Sequence, residues 1–200
     1  METTTPLKLL LVGQYGVGKS SFFNRYFEKK FHPYVLSFSL DVKKKIVYYK
    51  GYNLILQMWD LVYSERMRGL LPDYYIKCKG ILFVIDLTDK QSFNFINNER
   101  ESIKRNCKEE QIEHFIYYLI GTKCDLKREI SKEEAINYSN QYGYNYFECS
   151  ALTGENVNEI ISCLLRDIIE REILLTKEHK YLIDKPKKVK NKNNKQCFIF

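Results

Sequence analysis

Residues 13–20 read Gly-Gln-Tyr-Gly-Val-Gly-Lys-Ser and directly follow the apolar run Leu7–Val12. A strand that empties into a glycine-rich turn and then into a helical pattern constrains this fold more than any other stretch. Gly13, Gly16 and Gly18 let the backbone curl, so that the N–H groups around Val17 face one point and the following helix aims its positive end at it. Such a cradle suits phosphate. Lys19 is placed to reach β- and γ-phosphates, and the Ser20 hydroxyl to ligate Mg²⁺, with Ser21 beside it as a further binding candidate.

The 200 residues suffice for one α/β domain, taken as 1–176, followed by a flexible basic tail, 177–200. Strand-like runs fall at about 6–12, 40–49, 53–59, 80–86, 115–120 and 144–148. Helical spacing falls at about 19–28, 67–77, 92–107, 132–141 and 155–174. This alternation predicts a mostly parallel six-stranded sheet with helices on both faces. The second and third runs are joined by Lys50-Gly51-Tyr52, a hairpin-like spacing that predicts one antiparallel edge strand. In such sheets ligands bind at the carboxyl ends of the strands, where every motif below falls.

Composition narrows the function. The six cysteines are scattered, with no C-x-x-C pair and no N-terminal secretory pattern, which points to reduced thiols in the cytosol. The longest apolar runs, such as 81–85, are far short of the ~20 residues a membrane span needs. Net charge is +7, but from residue 177 onward eight lysines face only Glu178 and Asp184, so almost all of the excess sits in the tail. The domain shows no basic stripe with aromatic stacking positions, and no nucleic-acid partner is expected.

Asp60 ends the third strand, where a carboxylate can hold Mg²⁺ opposite Ser20. The fifth strand ends in Gly121-Thr122-Lys123-Cys124-Asp125 and the sixth in Glu148-Cys149-Ser150-Ala151. A carboxylate edge-on to guanine accepts two parallel hydrogen bonds from N1 and N2, whereas adenine offers no matching donors. Asp125 is therefore the expected specificity residue. Thr122 belongs to the same motif, Lys123 can lie along the base plane, and the N–H groups of Ser150 and Ala151 face the guanine carbonyl. A P-loop kinase would need an arginine lid and an acceptor site, and neither is found.

Together these motifs resemble the small GTPases of the Ras superfamily, a P-loop NTPase fold, and the Rab family within it. Trp59-Asp60 with Glu65-Arg66, Tyr74-Tyr75, residues 86–93 and the two base-end motifs carry the resemblance over roughly residues 7–175. The resemblance implies GTP and GDP binding with Mg²⁺, two switch segments and action in vesicle traffic. It also implies effector, exchange-factor and GDP-dissociation-inhibitor-type partners, and a monomer. Phe31 matches the family aromatic against the guanine edge. The Mg²⁺ hydroxyl of the first switch falls to Ser37, with one residue deleted upstream, and Ser39 is the alternative.

Departures from the family cluster around the γ-phosphate. Ser64 stands where the family places the glutamine that orients water, and is too short to span that gap. Tyr63 replaces a glycine whose amide contacts the γ-phosphate, and Tyr15 puts a ring in the phosphate loop where a small residue is usual. All three changes impair hydrolysis, so two readings stand: a slow GTP-cycling switch, and a pseudo-GTPase that holds nucleotide for structure and docks partners constitutively.

Cys197 lies four residues from the end in Cys197-Phe198-Ile199-Phe200, which resembles a prenylation box whose terminal Phe favours geranylgeranyl. One lipid gives marginal attachment, and nearby lysines each add about 1 kcal/mol at an anionic surface. The expected location is the cytosolic face of an internal membrane, with a cytosolic pool. Changing Cys197 to Ser should move the protein into the soluble fraction of a membrane flotation assay, and undiminished flotation would refute the lipid anchor.

Overall fold

The computed structural model describes residues 6–33, 40–49, 52–61 and 71–176. Along the chain run β1 (Leu7–Val12), α1 (Lys19–Glu28), β2 (Asp41–Tyr49), β3 (Tyr52–Asp60), α2 (Leu71–Tyr75) and β4 (Cys78–Asp86). After them come α3 (Ser92–Asn106), α4 (Glu109–His114), β5 (Ile116–Thr122), α5 (Lys132–Tyr142), β6 (Asn145–Glu148) and α6 (Val157–Thr176). The six strands form one sheet in the order β2-β3-β1-β4-β5-β6. Only β2 and β3 pair antiparallel, with Tyr49 opposite Tyr52; the other pairs are parallel. The mostly parallel architecture and its antiparallel edge are as the sequence predicts.

Strands covered on both faces bury side chains on each, which is why β1 and β4 are apolar over residues 9–12 and 81–85. The period of two then divides each strand between two cores. Leu7, Leu9 and Leu11, with Leu82 and Val84, pack under α1 and α6 against Phe22, Phe23, Ile160, Leu164 and Ile168. Leu10 and Val12, with Ile81, Phe83 and Ile85, pack on the other face against Tyr75, Ile96, Ile103 and Ala135 of α2, α3 and α5.

Local chemistry sets the ends of α5. The Ser131 hydroxyl accepts the Glu134 N–H at 3.1 Å, and Gly143 closes the helix with φ 68°. Two differences from the sequence reading have local causes. The helix α4 was not expected, because none of its residues is buried and so it carries no apolar period; a Gln111 side chain accepting the Lys108 N–H at 3.1 Å starts it. Strand β4 begins at Cys78 rather than near residue 80, since it includes Lys79, whose ammonium pairs with Glu172 of α6 at 2.6 Å. Of the helix expected at 67–77, residues 67–70 lie outside the described residues, and so do Ser37, Ser39, Tyr63, Ser64 and Cys197.

Between α2 and α3 the Tyr75 hydroxyl donates to Glu99 Oε1 at 2.7 Å, with both residues only 1% exposed. Burial first, and the Glu99 charge second, push the Tyr75 phenol far above its ordinary range, so it stays a donor at every workable pH. Tyr75→Phe keeps the shape but removes a hydrogen bond to a buried carboxylate. Urea unfolding should show a loss of about 1–3 kcal/mol, and a loss below about 0.5 kcal/mol would mean that the contact contributes little.

Candidate functional site

The parallel strands β1, β3, β4, β5 and β6 end on the same side of the sheet, and the candidate residues gather there. At the end of β1 the chain turns away at Gly13, where a Cβ would stand 2.4 Å from the Val84 carbonyl oxygen of β4. No other residue fits so close an approach. The loop passes through Gly16 (φ 82°) and Gly18 (φ 97°), the N-cap of α1, which has neither a side-chain cap nor an acidic residue in its first turn. The N–H groups of Gly16, Val17, Gly18 and Lys19 donate to no backbone carbonyl among the described residues. Unsatisfied amides at a bare helix N-terminus form an anion cradle.

Lys19, 8% exposed, folds its ammonium into the curl and donates to the carbonyls of Gly13 at 2.8 Å and Gln14 at 2.9 Å. Burial brings its pKa down to about 8, against the opposing pull of the Asp60 charge. Asp60, 1% exposed at the end of β3, accepts the Ser20 hydroxyl on Oδ2 at 2.5 Å. Its other oxygen, Oδ1, is buried with no hydrogen-bond partner among the described residues. Burial raises the Asp60 carboxyl above the usual range, offset in part by the Ser20 hydrogen bond and the Lys19 charge. A hydroxyl and a half-satisfied buried carboxylate beside an anion cradle fit a hard divalent cation. Among the described residues no cluster of three His, Cys, Asp or Glu side chains exists, so such a cation would draw further ligands from phosphate and water.

The other end of the site is built by β5 and β6. Thr122 Oγ1 stands 2.5 Å from the Val17 carbonyl and 3.0 Å from that of Ile85, so its one proton ties β5 to the phosphate loop. Lys123 has φ 59° and sends its ammonium to the Gly16 carbonyl at 3.2 Å and to Asp86. Asp125 is exposed just beyond. The loop is braced from behind by Arg128, which grips both oxygens of Glu148 at 3.0 and 2.8 Å, while the Tyr146 hydroxyl donates to the same carboxylate at 2.7 Å.

The structure brings Gly13, Gly16, Val17, Gly18, Lys19, Ser20 and Asp60 together, and joins Thr122 and Lys123 to them. Ser21 is half-buried on the first turn of α1. Ser150 is fully buried, and its N–H donates to the Glu155 carbonyl at 3.3 Å, whereas the Ala151 N–H has no such bond. Of the two amides expected at the base, Ala151 is the available one. Phe31 is half-buried just past α1 and belongs to neither core. Tyr15 is 64% exposed and lines a shallow depression of about 370 Å³ with Gln91, the N-cap of α3, and Asn94, Phe95 and Asn98 on that helix. Sequence reasoning gave Asp86 no role, although its place at the end of β4 matches that of Asp60 on β3.

Comparison with known proteins agrees with this geometry. A family model described as Ras family matches residues 8–170. Ras-related protein Rab-13 of Canis lupus familiaris is 39% identical over 165 residues, which cover 81% of this chain and 79% of the relative. Ras-related protein Rab-27B of Homo sapiens is 35% identical over 180 residues, covering 82% and 80%. Ras-related protein SEC4 of Candida albicans (strain WO-1) is 34% identical over 171 residues, covering 84% and 79%.

The Lys19 shift fixes a pH dependence. Unfolded, this amine keeps its proton up to an ordinary pKa of 10.5; folded without phosphate, it releases it above about 8. Between those values the unfolded chain binds more protons, so the Lys19 contribution to stability grows as pH rises through the window and is lost as pH falls through about 8. In nucleotide-free protein the stability difference between wild type and Lys19→Met should therefore shift towards wild type from about pH 7.5 to about pH 10. A difference that stays flat in urea titrations across that range would contradict the burial of a titrating Lys19.

Proposed function

The chain belongs to the Ras family, on its Rab branch, and from that membership we propose that it binds GTP and GDP with Mg²⁺ and acts as a membrane-anchored switch in vesicle traffic, with slow hydrolysis. One observation carries the nucleotide reading: a Ser20 hydroxyl on Asp60 Oδ2 at 2.5 Å, with Asp60 Oδ1 buried and without a hydrogen-bond partner among the described residues, beside an amide cradle holding a buried lysine. Ser20 and Asp60 are the residues that would hold Mg²⁺, which would supply positive charge against that of the phosphates. Lys19 would transfer its hydrogen bonds from the Gly13 and Gln14 carbonyls to phosphate oxygens. Asp125 would accept from guanine N1 and N2, Lys123 would lie along the base, and Ala151 would donate to the guanine carbonyl.

Hydrolysis is where this chain would differ from its relatives. Ser64 cannot reach a water in line with the γ-phosphate, and Tyr63 resists the backbone angles a glycine allows, at about 1–3 kcal/mol of strain if forced. Tyr15, 64% exposed on the phosphate loop, favours the second reading of a constitutive docking module, because its ring would obstruct the attacking water or an incoming arginine finger. No helix among the described residues is long and apolar enough to cross a membrane. Attachment would rest on a lipidated Cys197 and the lysines before it, and effectors, an exchange factor and a GDP-dissociation-inhibitor-type protein would be the partners.

The decisive experiment is single-turnover hydrolysis of GTP preloaded on purified protein, with the bound nucleotide identified, beside a Ser64→Gln, Tyr63→Gly double variant. Wild type should retain GTP for hours while the double variant hydrolyses at least about tenfold faster. Equal, rapid turnover in both would remove the claim of impaired hydrolysis, and a protein that binds no nucleotide would remove the switch reading altogether.

A further inference from the structure

Asp86 ends β4 in the same relation to the sheet as Asp60 ends β3, yet it faces a different neighbour. It is 6% exposed, and both of its oxygens are engaged. Oδ1 accepts the Thr88 N–H at 2.9 Å and the Thr88 hydroxyl at 2.7 Å, while Oδ2 accepts the Lys123 ammonium. From that pairing the same ammonium reaches the Gly16 carbonyl at 3.2 Å. One residue earlier, Thr122 Oγ1 meets the Val17 carbonyl. Consecutive residues of the base loop thus hold consecutive carbonyls of the phosphate loop.

The two contacts differ in what keeps them in place. Thr122 is buried and short, so its hydroxyl stays where the backbone puts it. Lys123 is a long side chain, about a third exposed, which alone would extend into water to regain rotamer freedom and hydration. A buried carboxylate, itself fixed by Thr88, removes that option. Charge-assisted bonds of this kind are about twice as strong as neutral ones.

We propose that Asp86 is a positioning residue for nucleotide retention: by holding Lys123 against Gly16 it keeps the base loop and the phosphate loop in one register and slows nucleotide escape. With both oxygens committed below the surface, Asp86 does not touch the ligand and acts only through Lys123. The inference rests on the guanine-nucleotide reading above. It deepens that reading by placing part of the retention in a carboxylate outside the binding surface.

The test is the release rate of fluorescently labelled GDP from the full-length chain carrying Mg²⁺, in wild type, Asp86→Asn, Lys123→Met and the double variant. Asp86→Asn should speed release by about 10- to 100-fold, the range for loss of a hydrogen bond to a charged group. In the Lys123→Met background it should change the rate by less than about twofold, because the group it acts through is gone. The ratio of inosine to guanosine diphosphate affinity should stay that of wild type, since Asp125 is untouched. Equal acceleration in both backgrounds, or none in either, would overturn the proposal. Should Asp86→Asn fail to fold, Thr88→Val loosens the same carboxylate more gently and must show the same dependence on Lys123. A wild-type chain that holds no labelled GDP would defeat the nucleotide reading itself, an outcome distinct from a retained nucleotide with additive variants.

Discussion

Lys19 keeps its ammonium inside the curl of the phosphate loop on two backbone carbonyls, and the surrounding residues are arranged around that buried charge. Carbonyl dipoles satisfy the donors of a cation without neutralising it, which is why burial still draws its pKa down. The anion whose charge acts on it, Asp60, is itself buried and drawn upward, with one oxygen on Ser20 and the other without a hydrogen-bond partner among the described residues. Two opposite charges, each shifted towards neutrality, mark a site whose electrostatics balance only with further charge. Phosphate would supply the negative part beside Lys19 and a divalent cation the positive part beside Asp60. Ligand loading would then be linked to the protonation of Lys19 and Asp60.

Much of this was legible in the sequence because it depends on spacing along the chain. Glycines, a lysine and a serine after an apolar strand describe the cradle by themselves, and Asp60 and Asp125 stand out as carboxylates at strand ends. The parallel sheet was legible for a similar reason, since runs such as residues 81–85 are apolar at every position. What escaped has a common physical character. The role of Asp86 depends on residues 16, 86 and 123 meeting in space, and no local pattern encodes that meeting. The Ser150 amide turns inward to Glu155 through a turn whose closure the sequence does not announce. Helix α4 has no fully buried residue, only a partly buried Ile112, and so leaves no periodic trace.

The two ends of the site are built on different principles. The phosphate end is defined by backbone, so its chemistry tolerates little substitution at Gly13 and Gly18, where space or dihedral angle excludes a side chain. The base end is defined by side chains held from behind. Arg128, Tyr146 and Asn156 all close on the last residue of β6, Glu148, two by its carboxylate and one by its carbonyl. Rigidity is placed one layer beneath the residues that would meet a base, and Asp125 itself stays in solvent.

The antiparallel partnership of β2 with β3 leaves β2 as one margin of the sheet, and β6, four residues long, as the other. An exposed margin invites another copy of the chain to continue the ladder. β2 offers apolar surface for that purpose in Ile46 and Tyr48, yet it also carries Lys43, Lys44 and Lys45 in succession. Two such strands brought side by side would set like charges against one another, while the opposite margin is too brief to template much pairing. The fold thereby builds resistance to edge-to-edge aggregation into its rim, by charge on one side and by shortness on the other.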